Sequence, residues 1–266
     1  MNIYLFELKR LSKSLVVWAV CIAGILILLM KGFYPAMMES KAEVAALFAN
    51  FPPEFMAVLG LDIDKMFSYE GFYLFSFTYV GLASAIMAVS LALQCFAREK
   101  RGKCTDFILT KPVNRRGVYG AKYLACITVL LLFNLFYVAI IAPDYISKTV
   151  NFQLNGSFVL FMLSPLLTQL IFLSLGIIYA IFSKRVRSIS GTATAFGFAA
   201  FLLSGVAEIL EKETLNLIAP LKYFDPKFVA DTGTFDPKLL AAAVIVFAGC
   251  TAAAFIRYCR QDIAAV

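Results

Sequence analysis

Six long stretches of this chain carry no Asp, Glu, Lys, Arg or His in their interiors, and that constrains the fold more than any other feature. They cover 15–31, 71–97, 118–142, 158–183, 188–207 and 238–257, with charges such as Lys31, Lys122, Lys238 and Arg257 only near their ends. A helix needs about 20 residues to cross a hydrocarbon core of about 30 Å, and somewhat fewer when its flanks snorkel to the interface. Each stretch meets that length. The expected fold is an all-α membrane protein, one transmembrane domain over 1–266 with six membrane-spanning helices and loops at 32–70, 143–157 and 208–237. Only 15% of residues are charged, against roughly a quarter in soluble domains.

Lys and Arg set the orientation, because positive residues are retained on the cytoplasmic side. Sixteen of them fall in the segments on the side of the termini and eight on the other side, whereas the acids divide four to thirteen the opposite way. Both termini are therefore expected in the cytoplasm. Residues 1–13 mix Ile3, Tyr4, Phe6, Leu8 and Leu11 with Glu7, Lys9, Arg10 and Lys13, the composition of an interfacial N-terminal helix leading into the first span. That span is followed by Lys31-Gly32-Phe33-Tyr34-Pro35 without a small-x-small cleavage site, so it reads as retained. The net charge of +7 does not point to nucleic acid, since the basic residues flank apolar runs with no recognition motif beside them.

The search for chemistry finds no catalytic motif. There is no phosphate-binding glycine loop, no HExxH and no Gly-x-Ser-x-Gly, so the chain is expected to be neither an ATPase nor any other enzyme. The chain has no His, and its spans lack the intramembrane ionisable residues on which ion-coupled carriers depend. Gln94, Asn134, Thr168 and Gln169 read as helix-to-helix hydrogen-bonding residues, and Ser164-Pro165 as a kink in span four. Six cysteines without CxxC or His partners read as packing residues, with no metal site. Small residues in span five (Ala193, Gly197) and span six (Ala248, Gly249, Ala252) fit either packing within one bundle or a dimer interface.

Between spans two and three lies a compact basic segment, REKRGKCTDFILTKPVNRRGVYGAK over 98–122, with eight Lys or Arg against Glu99 and Asp106. Thr105 and Asp106 cap a short turn carrying Phe107, Ile108 and Leu109; Pro112 stops it, and Asn114 caps the next helix. The outcome is a partly apolar knob on a charged stalk. Either its charges hold the loop in the cytoplasm while the apolar residues lie on lipid, or a partner protein grips it.

The run Arg98-Glu99-Lys100-Arg101, then 105–113, Arg115 and Lys122 resembles the coupling segment of ABC-2 type permeases, with Asn114 where that family usually has Ser or Thr. Ala219-Pro220-Leu221-Lys222-Tyr223-Phe224 is similar to the Ser-Pro-Phe-like stretch before the last span of the same family, with Ala219 in place of Ser. The resemblance implies the membrane subunit of an ATP-driven exporter in a bacterial plasma membrane. It implies a second permease subunit, the same or different, and a separate ABC ATPase that binds the ATP and Mg; this chain itself carries no cofactor. Glu99, Arg101, Phe107, Ile108, Leu109, Pro112 and Arg115 are the expected ATPase-coupling residues. The alternatives are a non-transporting scaffold or metalloenzyme-maturation factor, or an ATP-independent carrier. The loop at 32–70 contains amphipathic pieces at 40–48 and 52–60, which either rest on the outer membrane surface or form a lid over the path.

Overall fold

The computed structural model describes residues 3–48, 50–52, 55–56, 59, 61, 63–98, 114–148, 156–210 and 212–260. Among them there is no strand, and six helices are long and apolar enough to cross a membrane. Span one is Ile3–Ile27, extended by a wider π turn over Leu28–Phe33 and by Tyr34–Glu39. Spans two to six are Tyr69–Phe96, Arg115–Lys148, Gly156–Phe182, Ile189–Leu210 and Pro237–Arg260. The first residues of spans one and three meet the last residues of spans two and six at one end of the bundle, called here the loop end.

The helices begin where the sequence supplies acceptors for their unpaired first N–H groups. Ser68 accepts from Gly71 N at 3.0 Å, Asn114 Oδ1 from Arg116 N at 3.1 Å, and Ser188 from Gly191 N at 3.1 Å. Asp236 Oδ1 accepts from Lys238 N at 2.8 Å, so Asp236-Pro237 opens span six as expected. Two expectations need correction. Residues 3–13 do not form a separate interfacial helix: Ile3–Ile27 is one helix, and Glu7 and Leu11 in its first turns are buried. The helices also outrun the apolar stretches, span three passing Pro143 to end at Lys148. Hydropathy assigns charged or proline-bearing turns to water or loops; here tertiary partners keep them helical.

Span two is the axis. It packs against spans four and five over most of its length and also touches spans one and three, while span six leans on span four. Close approach depends on two glycines facing it. A Cβ on Gly176 of span four would lie 2.7 Å from Ala92 Cβ and 3.1 Å from Val89 Cα, and one on Gly197 of span five would collide with Ile86. Gly249 of span six, by contrast, has open space around it. Polar residues join helices as expected: buried Asn134 Nδ2 donates to Gln169 Oε1 at 2.6 Å, and half-buried Gln94 Nε2 to Ser14 of span one as well as to Ser90 of its own helix. Pro165 sits inside span four without ending it.

At the far end, the segment after span five folds back onto the bundle through a 3-10 turn at Pro220–Lys222 and a short helix, Pro226–Thr232, capped by Asp225. Tyr223 and Phe224 pack with Ile171 and Ala243 between spans four and six, and burial pushes the Tyr223 phenol above its ordinary value. Lys65 pairs with Asp231 at 3.0 Å, joining the two far-end segments. Of the two amphipathic pieces expected there, the first is the helix Lys41–Phe48, whose Val44 and Phe48 pack on the core while Leu47 is exposed. Residues 53–54, 57–58 and 60 of the second lie outside the described residues.

Candidate functional site

Span two ends at Phe96, and its last carbonyls are left without helical partners. Two cations meet them. Arg10 Nη2 donates to Gln94 O at 2.6 Å, and Lys122 Nζ to Cys95 O at 3.1 Å. Cations at a helix C-terminus are favoured by the macrodipole as well as by the orphan carbonyls. Glu7 pairs with Arg10 at 2.7 Å and accepts from Cys95 Sγ at 3.8 Å. Glu7 and Lys122 are both buried, at 4% and 1% exposure, so neither is an ordinary surface charge.

Aromatic packing completes the base. Lys122 Nζ lies 5.7 Å from the Phe96 ring centroid, and Tyr119, one helical turn earlier, packs tilted or edge-on against Phe96, Phe255 and Tyr258. Span six is thereby held to the start of span three and the end of span two. Tyr4 OH and Thr128 Oγ1, 3.0 Å apart, also tie the first helix to span three. The two roots of the 99–113 segment are therefore clamped to spans one and six as one body.

Of the expected coupling residues, Arg115 lies within the described part, half-buried at the first position of span three. Arg115 lines a groove with Asn114, Arg116 and Arg260 at the mouth of the bundle. Glu99, Arg101, Phe107, Ile108, Leu109 and Pro112 lie outside the described residues. Sequence reasoning did not find Glu7, Arg10 and Lys122 as a buried set. The i,i+3 spacing of Glu7 and Arg10 was the available signal, but an amphipathic N-terminal helix explains it equally well. Among the described residues no His, Cys, Asp and Glu cluster forms a metal site.

Six long apolar helices, tied together at one end by buried charge, define a multi-pass membrane protein. Residues 65–253, most of the chain, match the family described as ABC-2 family transporter protein, and the chain belongs to that family. Its members are membrane subunits that work with an ABC ATPase. No curated protein matches the chain.

Proposed function

We propose that this chain is the permease subunit of an ATP-driven exporter, with the loop end in the cytoplasm of a bacterial cell and a second permease subunit beside it. A separate ATPase docks on the 99–113 segment, where Phe107, Ile108 and Leu109 fill an apolar socket and Glu99 pairs with a basic residue of the ATPase. Arg101, Pro112 and Arg115 hold the stalk. The observation that carries this reading is the clamp formed by Glu7, Arg10, Gln94, Cys95 and Lys122. A loop whose roots are fixed in buried charge passes a push on its tip into spans one, two and three as a rigid-body tilt, the kind of motion that alternates access.

The test is a mild-detergent purification of the tagged chain from its native membrane, with an ATPase assay of the eluate. A nucleotide-binding protein should co-purify, and Phe107→Asp should release it. Glu99→Ala should leave expression and association intact while abolishing stimulated ATPase activity. A chain that elutes alone and inactive in both forms would restore the plainer role of the segment as a cytoplasmic anchor.

A further inference from the structure

At the loop end, the first turn of span three and the last turns of span six flank a groove of about 440 Å³. Its lining holds Arg115, Arg116 and Arg260 and, among the described residues, no carboxylate. Arg115 is half-buried; Arg116 and Arg260 are exposed, and neither of these two guanidinium groups has an acidic partner among the described residues. Arg257 is placed differently, 5.9 Å from the centroid of the Phe182 ring. The walls of the groove are already packed. Tyr119 of span three meets Phe255 edge-on with ring centroids 5.3 Å apart, and Tyr258 at 5.5 Å.

Beyond the arginines the groove continues as an apolar trough. Ile245, Gly249, Ala252 and Ile256 recur at helical spacing on one face of span six, and all four are exposed. Arg260 stands one turn beyond Ile256 on the same face. A Cβ on Gly249 would meet nothing within 4 Å, so two small residues between two isoleucines leave a shallow channel. From Ile245 to Ile256 that channel runs about 16 Å, the depth of one hydrocarbon leaflet.

Positive charge at one end and an apolar channel leading from it select an amphiphile with an anionic head. Guanidinium groups match phosphate oxygens bidentately and are more weakly hydrated than an ammonium, and basic pockets between helices on the cytoplasmic side suit phosphate head groups. A second copy of this chain fits less well, because a two-fold contact centred on this face sets the same arginines against each other. We infer that this face of span six binds an anionic phospholipid, its phosphate held by Arg115, Arg116 and Arg260 and one acyl chain lying along the channel from Ile256 to Ile245. Placing that lipid in the cytoplasmic leaflet rests on the orientation proposed above; the binding itself does not.

Native mass spectrometry of the purified full chain in neutral detergent, titrated with phosphatidylglycerol or with phosphatidylcholine of the same acyl chains, tests the inference. One adduct of the anionic lipid should saturate at a concentration at least about tenfold below the zwitterionic one, the size of one charged hydrogen-bonded contact. Arg116→Gln combined with Arg260→Gln should abolish that preference. Arg185→Gln combined with Arg187→Gln, at two exposed arginines between spans four and five, should leave it unchanged. Glycerol 1-phosphate should not displace the lipid, because it lacks the chain that fills the channel. Equal binding of the two lipids would overturn the site, and is the result expected if the arginines serve an acidic protein surface or a second copy instead. Equal loss in both double variants would reduce the site to diffuse surface charge, and displacement by glycerol 1-phosphate would reduce it to a phosphate contact; either sinks the inference. If the Arg116 and Arg260 variant does not fold, the lipid comparison and the competition still decide. The assay contains no ATPase, so failure to bind leaves the permease reading standing.

Discussion

Glu7 shows how a single residue changes meaning between a helical wheel and a packed bundle. The residue is 4% exposed, and its carboxylate is held by Arg10 and Cys95. Removing one member of a buried charged set leaves the others uncompensated, which costs about 3 kcal/mol. Glu7→Ala should therefore lower the thermal aggregation midpoint of the purified chain well below that of a control such as Lys9→Ala. Lys122→Met should do the same, because it strips the cation from the Cys95 carbonyl at the end of span two. If either variant melts like the parent, the clamp does not hold the roots of the loop.

At the level of elements, the central place of span two depends on what its neighbours lack. Gly176 lets span four approach until only a hydrogen fits against Val89 and Ala92. Gly176→Ala should destabilise by about 2 kcal/mol through overpacking, and Ala92→Gly in the same chain should recover part of that loss. Absence of rescue would place the cost elsewhere. Asn134 and Gln169 link spans three and four through one short hydrogen bond within the apolar bundle. Such a contact is worth about 1 kcal/mol in a bilayer, so Asn134→Leu should be tolerated with a modest loss of stability. The six helices themselves were legible as uncharged runs of sufficient length. The continuity of the first helix was not, because Glu7, Lys9 and Arg10 make the same amphipathic pattern whether they meet headgroups or other helices.

For the whole molecule, the proposed orientation follows from the distribution of Lys and Arg and is open to direct measurement. In a cysteine-free background, Lys238→Cys at the far end should react with a membrane-impermeant maleimide on intact cells. Arg98→Cys at the loop end should react only after permeabilisation; the reverse pattern would invert the topology. By itself the sequence determined the class, the number of crossings and the family resemblance. These depend on hydrophobicity over about 20 residues and on short motifs, quantities local to the chain. The tertiary structure decided which helix is the axis, that Glu7 and Lys122 are buried together, and that Lys222 reaches Glu208 from the folded-back segment. Those facts depend on residues far apart in the chain meeting in a medium where charges and polar groups must find partners.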